Sequence, residues 1–231
     1  MAQRRLLENI VLWIDENKYL SESEMKNNAI LINGFFKNEG WTPNAIAAML
    51  GNMQGESTIN PGRKEIVPSG WTEKNGFGLV GWTPATVLIN WASGNGLDYR
   101  DGYTQCRKIQ DEMLHRGFYP NYNVTPSVSP ITFKEFSVST EPVNYLAEIF
   151  LKYYEQPRDV NQPNRIKWSL EWYTFITGDI PEIKPDEPMG NLPDIIPELQ
   201  GDGITPLVKY GAIYNINRRN KKCNSMKLLR F

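Results

Sequence analysis

The chain has 231 residues, which is enough for one well-packed domain and a smaller appendage. Its 25 basic and 26 acidic residues give a formal net charge of −1, so no overall positive field attracts nucleic acid, and we predict no nucleic-acid specificity. No apolar run is long enough to cross a membrane. Cys106 and Cys223 are far apart in sequence, which excludes a disulfide scaffold.

The first twenty residues carry an amphipathic pattern. Five apolar residues fall on one helical face: Leu6, Leu7, Ile10, Val11 and Ile14. Glu8 and Asn9 interrupt the apolar core that a secretory signal needs. We therefore predict an N-terminal helix over 1–20.

Two further helices are predicted on either side of Gly40. Ser21 and Glu24 have the spacing of a capping box, which predicts a helix that Gly40 ends. Thr42 is a good N-cap for the next helix, and Pro43 lacks an N–H that would be unpaired at the first helical position anyway. The apolar residues of this second helix recur at helical spacing and predict a face turned to a core: Ile46, Met49, Leu50 and Met53.

The following hundred or so residues predict more helices joined by irregular segments. The glycine-rich segment 76–82 predicts a short β-hairpin. A helix is expected to begin at Thr83 and Pro84, which repeat the start signal of Thr42 and Pro43. Later helices are predicted at 103–115, 141–154 and 164–176. The predicted class is mainly α, with a small β component (α+β).

The composition changes beyond residue 178. The segment 179–206 contains six prolines among acidic residues and predicts a stiff linker. The segment 207–231 carries basic residues and no acidic ones, which predicts a positively charged tail. This tail either docks on an assembly partner or an anionic surface, or it is simply solvated.

Glu56 ends the second helix and is the most informative residue of the chain. At about 100° per residue it lies roughly 60° from Met53, on the edge of the apolar face. Partial desolvation and the negative end of the helix dipole both favour the protonated carboxyl there. A protonated carboxyl at neutral pH is what a general acid needs, although a solvated glutamate at a helix end fits the spacing too.

The sequence has only one histidine, His115, and this excludes several catalytic mechanisms. A zinc peptidase built on two or three histidines is not available, and we predict no metal and no other cofactor. Cys106 and His115 are nine positions apart on one predicted helix and face opposite ways, which disfavours a cysteine peptidase. We therefore expect His115 to be structural or exposed, and carboxylate chemistry remains, as in glycoside cleavage.

Three ordered motifs carry a family resemblance. They span residues 56–62, 76–84, and 154–157 together with 161–163. In this order they resemble the phage tail lysozyme family, whose members are lysozyme-like domains of tail-tip proteins in short-tailed phages of Gram-positive hosts. The resemblance extends from about residue 27 to 173. The first two motifs also resemble, more distantly, goose-type lysozymes and lytic transglycosylases.

The resemblance implies a lysozyme-like helical domain over 21–178, with the hairpin beside a cleft. Glu56 matches the catalytic glutamate of the family and implies cleavage between N-acetylmuramic acid and N-acetylglucosamine in peptidoglycan. The protein is then expected to be made in the host cytoplasm, carried in the virion at the tail tip, knob or interior, and used as the genome crosses the cell wall. Its expected partners are glycan strands and, through the linker and the basic tail, other tail proteins.

The same resemblance implies a set of substrate-binding residues: Asn60, Gly76, Phe77, Gly78, Trp82, Tyr154 and Glu155. One departure from the family is Gly81, where some relatives have glutamine, so a contact to sugar is missing or is supplied elsewhere. A second catalytic carboxylate is left open among four candidates: Glu65, Glu73, Asp98 and Glu155.

Three alternatives stay open at this point. A lytic transglycosylase would cut the same bond by attack of a sugar hydroxyl. A structural tail or tail-knob component with a lysozyme-like fold would bind the wall without cutting it. A free endolysin acting at host exit is the third.

Overall fold

The computed structural model describes residues 11–179 and 181. These residues form seven α-helices, α1 to α7, and one π-helical turn at Leu151–Glu155 that directly follows α6. The helices are Glu22–Asn38, Pro43–Ser57, Thr86–Gly94, Gly102–His115, Phe133–Ser137, Val143–Phe150 and Pro163–Thr177. The predicted mainly helical class is confirmed. The predicted linker and basic tail lie outside the described residues, apart from residues 179 and 181.

The starts of α1 and α2 follow the local chemistry of the sequence. Ser21 forms the predicted capping box: its backbone N–H donates to the Glu24 carboxylate over 2.8 Å, while its hydroxyl accepts from the Glu24 N–H. Thr42 caps α2 by accepting from the Ala45 N–H over 3.2 Å, and Pro43 is the first residue of α2. Both predicted helices are confirmed.

The helix α3 begins later than predicted. Thr83 donates its hydroxyl to the Gly81 carbonyl over 2.9 Å, so it closes a turn and does not cap the helix. The Ala85 N–H donates to the Asn75 carbonyl, and the helix starts at Thr86. The repeated Thr-Pro signal was therefore wrong at this second site, because a local turn uses the Thr83 hydroxyl that a cap requires.

The predicted helix over 141–154 is interrupted. Regular α-helix ends at Phe150, and the π turn Leu151–Glu155 follows, ending at Gln156 with φ of 50°. A π turn holds about one more residue than an α turn, so the side chains after it point in different directions from those of a regular helix. Glu155 lies at the end of this turn.

Residues 11–20 do not form the predicted N-terminal helix, and residues 1–10 lie outside the described part. Ile14 exchanges two backbone hydrogen bonds with the Asn28 amide, at 2.9 and 2.8 Å. The Asn60 amide donates to the carbonyls of Glu16 and Lys18. These tertiary bonds occupy backbone groups that a helix would pair internally.

The segment predicted as a hairpin is held by isolated antiparallel bridges. Phe77 pairs with both Lys64 and Trp82, and the Glu65 N–H donates to the Gly76 carbonyl over 2.9 Å. In residues 11–179 these bridges do not extend into named strands. The glycine-rich segment is thus an irregular loop fixed at a few points.

The helix α2 is the centre of the fold and packs on α1, α5, α6 and α7. Ten of its fifteen residues are buried. Gly51 and Gly55, four positions apart, allow α7 to come close, because a Cβ at position 51 would overlap Ser169 and one at 55 would lie 2.9 Å from Cζ of Arg165. None of the helices in residues 11–179 combines the length and the apolar character of a membrane span.

Candidate active site

Glu56 lies in the last turn of α2, and its side chain is 26% exposed. The chain turns sharply after it, because Thr58 and Ile59 both have a φ of 56°, a conformation that is costly for a β-branched residue. Ser57 fixes this turn by donating to the Leu79 carbonyl over 2.8 Å and accepting from the Asn60 N–H. The helix end is therefore tied to the glycine-rich loop.

Arg165 at the start of α7 holds the Glu56 carboxylate. Its Nη2 donates to Oε1 of Glu56 at 2.5 Å. Its Nη1 donates to the Asn52 carbonyl over 3.1 Å, and its Nε donates to Oε1 of Gln162 over 2.6 Å. Only 6% of the Arg165 side chain is exposed, so this is a fixed and mostly desolvated guanidinium.

The third sequence motif explains how Arg165 is placed. Gln162 immediately precedes α7 and directs the guanidinium, while Pro163 starts the helix. Gly55 leaves the space that the guanidinium fills. The sequence prediction missed Arg165, although the small pair Gly51 and Gly55 on α2 was a signal that another helix packs there closely.

Glu155 is the second carboxyl group of the site. Its Oε1 is buried and has no hydrogen-bond partner among the described residues. Burial raises the pKa of Glu155 well above its usual range, and the charge of Glu56 raises it further, while Arg165 opposes the shift. This environment disfavours the ionised form of Glu155, whose charge interacts with that of Glu56.

Gly81 opens directly onto the Glu56 carboxylate. It has a φ of 60°, and a Cβ built on it would lie 3.0 Å from Oε2 of Glu56. Any side chain at this position would contact the carboxylate. Gly81, where some relatives have glutamine, therefore lies next to the Glu56 carboxylate and leaves space beside it.

Tyr154 is bound into the network of Glu112. Its hydroxyl donates to Oε2 of Glu112 over 2.5 Å, and its ring stacks on Phe150 at 4.4 Å. Burial, and then the charge of Glu112, raises the pKa of Tyr154 well above its usual range. Lys108 and Arg116 approach Glu112 at 3.4 and 3.1 Å. This placement gives Tyr154 a structural role.

Asn60 is also placed in the interior. It is fully buried, and its amide donates to two backbone carbonyls while its Oδ1 accepts from the Gly62 N–H over 2.8 Å. The two bonds to carbonyls tie the segment after α2 to residues 16–18, and the bond from Gly62 fixes the local turn. The structure therefore gives Asn60 a bracing role and shows no free group on it for a sugar.

The glycine-rich loop is largely buried. Phe77 is 2% exposed and packs on Trp71 and Tyr99, and the Gly76 N–H donates to Oε2 of Glu65 over 2.7 Å. A Cβ on Gly78 would overlap the Gln105 amide. Trp82 is 6% exposed, and its buried Nε1 lacks a partner among the described residues. These residues shape the wall next to Gly81 more than they present groups to solvent.

The other candidate carboxylates have different environments. Glu65 is engaged by the Gly76 N–H, Glu73 is exposed, and Asp98 binds Arg100 at the surface with a lowered pKa caused by that bond. Glu155 is the candidate whose charge interacts with Glu56.

The cysteine and the histidine of α4 stay apart. Cys106 is fully buried, and burial raises the pKa of its thiol, while His115 is exposed with its Nδ1 2.9 Å from Asp111. Nine helical residues separate the two by about 13 Å along the axis. This geometry agrees with the sequence argument against a cysteine peptidase.

The described residues thus form a helical domain whose candidate site is centred on Glu56, paired with the mostly buried Arg165. The family comparison gives the class more closely: the model of the phage tail lysozyme family matches residues 27–176, more than half of the chain. The chain belongs to this family, which confirms the resemblance and supports a lysozyme-like component of a phage tail.

A curated relative gives the same context. Morphogenesis protein 1 of Bacillus phage B103 is 44% identical over 167 residues, which is 72% of this chain and 44% of the relative. The chain therefore spans less than half the length of this relative.

Proposed function

We propose that the chain is a virion-associated peptidoglycan glycosidase that cuts the β-1,4 bond between N-acetylmuramic acid and N-acetylglucosamine. Glu56 is the catalytic residue and protonates the glycosidic oxygen as the bond breaks. Family membership supports the substrate class. The observation that carries the assignment is the placement of Glu56, partly exposed at the end of α2 beside the open position at Gly81.

The contrast between the two carboxyl groups supports the reaction type. Glu56 is ion-paired with Arg165, whereas Glu155 has a buried Oε1 and a pKa raised by burial and then by the charge of Glu56. Pairs of carboxyl groups whose environments separate their protonation states are typical of glycosidases. One such group can stay neutral while the other is charged, at a single pH.

Glu155 is unsuited to attack the sugar. A nucleophilic carboxylate must be ionised and must reach the anomeric carbon, but Oε1 of Glu155 is buried and burial raises the pKa of the group, which disfavours the ionised form. The nucleophile that attacks the anomeric carbon is therefore water, the acetamido group of the substrate, or a sugar hydroxyl. This argument keeps a lytic transglycosylase as the second candidate.

Product analysis tests both candidates. Wild type and Glu56→Gln are incubated with purified Gram-positive peptidoglycan, and soluble fragments are identified by mass spectrometry. Hydrolysis gives reducing ends, whereas transglycosylation gives anhydro sugars. Neither product is expected from Glu56→Gln. Binding to the wall without soluble fragments from the wild type would instead favour a structural tail component.

The proposed setting is the phage particle. The protein is made in the host cytoplasm, is incorporated at the tail, and acts on the wall as the genome enters. Other tail proteins are its proposed partners through the segments 179–206 and 207–231. Deleting 207–231 should lower incorporation into particles and leave cleavage by the remaining chain intact, whereas normal incorporation with lost cleavage would reject this anchoring role.

A further inference from the structure

The two carboxyl oxygens of Glu56 have different neighbours. Oε1 accepts from Nη2 of Arg165 at 2.5 Å. Oε2 lies on the side of Gly81, where a Cβ built on the glycine would be 3.0 Å from it. The three atoms nearest to that Cβ position all belong to Glu56, so the space there is otherwise open. One oxygen thus faces a guanidinium and the other faces an open backbone position.

The guanidinium of Arg165 is fixed by acceptors other than Glu56. Its Nε donates to Oε1 of Gln162 over 2.6 Å, and its Nη1 donates to the Asn52 carbonyl over 3.1 Å. Asn52 is fully buried, and its own amide donates to the carbonyls of Ala48 and Ala147. These bonds join α2, α6 and α7 around the mostly buried Arg165. Its position is therefore set by the fold, and Oε1 of Glu56 is held where Nη2 lies.

The chemistry of arginine decides which oxygen of a neutral Glu56 carries the proton. A guanidinium has five N–H donors and no acceptor, and it stays charged. An O–H on Oε1 would point its hydrogen at another donor. When Glu56 is neutral and keeps its bond to Arg165, Oε1 must therefore be the carbonyl oxygen, and the proton must be on Oε2.

We propose that Arg165 is a positioning residue that holds Oε1 of Glu56 and thereby assigns the catalytic proton to Oε2, the oxygen beside Gly81. This proposal rests on the proposed function. It places the glycosidic oxygen of the bound glycan within hydrogen-bond reach of Oε2. Arg165 acts on the substrate through Glu56 and needs no contact with the sugar.

The proton and electrons balance over one turnover. Oε2 gives its proton to the glycosidic oxygen, which takes the electron pair of the breaking C–O bond and leaves as a sugar hydroxyl. Glu56 is then a carboxylate that keeps its bond to Arg165. Water or a sugar hydroxyl adds to the anomeric carbon and returns one proton to Oε2.

The fixed guanidinium also acts as the proton leaves. Negative charge develops on Glu56 during the transfer, and a donor already in place at Oε1 stabilises this charge without having to move. A lysine would keep the positive charge, but its donors all lie on one nitrogen. It would not reproduce the planar set of bonds to Gln162, Asn52 and Glu56.

The first test detects the bond without any substrate. Glu56→Gln is an isostere of the neutral acid, with one acceptor oxygen and one NH₂ group. In the ¹⁵N-labelled full chain we expect a downfield Nη2 proton signal of Arg165, assigned by its absence in Arg165→Lys. The signal should persist in Glu56→Gln and be lost in Glu56→Ala, which has no acceptor. Its loss in Glu56→Gln, or its retention in Glu56→Ala, overturns the proposal.

The second test measures proton delivery. A sugar hydroxyl needs a proton from Glu56 to leave, whereas the nitrophenolate of a 4-nitrophenyl glycoside leaves with little help from an acid. In Arg165→Lys we expect wall cleavage to slow by at least about tenfold, and cleavage of the 4-nitrophenyl glycoside of a wall glycan fragment to slow by less than about twofold. An equal loss on both substrates would show a merely structural role and would overturn the proposal.

Two further variants keep this test specific. Arg63→Lys is the matched control, because Arg63 is also mostly buried and bonds Oδ1 of Asn17, outside the site. It should leave the ratio of the two rates as in wild type, and a selective loss there would overturn the assignment to Arg165. Gln162→Met keeps Arg165 but removes the acceptor of its Nε, so about a threefold loss confined to wall cleavage is expected. An unchanged ratio in Gln162→Met, like one in Arg165→Lys, contradicts the positioning role.

The two tests separate the possible failures. If the wild type releases no wall fragments at all, the proposed function fails, while the NMR signal still decides whether Arg165 holds Oε1 of a neutral side chain. If fragments are released but the signal or the ratio of rates does not behave as expected, the glycosidase assignment stands and the positioning role of Arg165 is rejected.

Discussion

Glu112 on α4 and Glu155 on the π turn both place a carboxyl oxygen in the interior, but the two groups have opposite surroundings. Glu112 is 1% exposed and is surrounded by Lys108, Arg116 and the Tyr154 hydroxyl. Glu155 has an oxygen that is buried without any partner among the described residues. The first arrangement is that of a structural charge. The second raises the pKa of a carboxyl group whose charge interacts with that of the partly exposed Glu56.

The comparison shows why burial alone does not identify a functional carboxyl group. A buried carboxylate with enough donors fixes two elements to each other, as Glu112 does for α4 and the π turn. A buried carboxyl group without donors is costly to ionise and is retained where its proton has a use. The variants below test this difference, beginning with the largest expected effect.

Replacing Glu112 should have the largest effect on stability. Glu112→Gln leaves Lys108 and Arg116 without their carboxylate in a mostly buried site, so we expect the free energy of unfolding to fall by roughly 3 kcal/mol. Urea denaturation measures it. Glu22→Gln is the control, since Glu22 forms an exposed pair with Lys26 and should change stability by less than about 0.5 kcal/mol. Equal effects of the two variants would refute the structural role of Glu112.

Filling the space at Gly55 should displace Arg165, which holds the Glu56 carboxylate. In Gly55→Ala the new methyl group meets the Arg165 guanidinium, and we expect a loss of about 1–3 kcal/mol together with slower wall cleavage. The matched variant Gly34→Ala adds a methyl group in open space on α1 and should gain up to about 1 kcal/mol. If Gly55→Ala behaved like Gly34→Ala, Arg165 would not depend on this space.

Removing the Tyr154 hydroxyl should lower the stability of the fold without lowering the rate of wall cleavage. Tyr154→Phe deletes the bond to Glu112, and we expect a loss of about 1.5 kcal/mol because the acceptor is charged. The rate of wall cleavage by the folded variant should stay near that of wild type. A large loss of rate with unchanged stability would instead support the substrate-binding role that the sequence resemblance implied for Tyr154.

The smallest expected effect is the pH dependence of stability at Glu155. Its raised pKa means that the folded protein binds this proton more tightly than the unfolded chain, so this contribution is complete below the unfolded pKa. It is lost as the pH rises through the folded pKa. Glu155→Gln removes the loss, so its melting temperature relative to wild type should be higher at pH 8 than at pH 5. An identical difference at both pH values would show that Glu155 is ionised throughout.

The parts of the fold that the sequence predicted well depend on local chemistry. The caps at Ser21 and Thr42 and the position of Glu56 at the border of an apolar helical face all follow from neighbouring residues. Such features need only the helical repeat and the pairing of the first N–H groups. The same reasoning was wrong at Thr83, whose hydroxyl closes a local turn with the Gly81 carbonyl.

The other half of the site depends on contacts between distant segments. Arg165 is 109 residues from Glu56, and nothing in its local sequence indicates which carboxylate it meets. The direction of Glu155 depends on the π turn, which shifts the helical repeat in a way that the apolar pattern of α6 does not reveal. Gly51 and Gly55 on α2 indicate that another helix packs closely there, but they do not indicate which helix it is.

The rate of wall cleavage by Glu56→Gln is the most direct test of the central claim. Initial rates of fragment release from purified peptidoglycan are compared at equal concentrations of folded wild type, Glu56→Gln and Glu148→Gln. Glu148 is the control because it is a partly buried glutamate that is ion-paired with Lys152. We predict a loss of at least about 100-fold for Glu56→Gln and a near wild-type rate for Glu148→Gln. A near wild-type rate for Glu56→Gln would contradict the assignment.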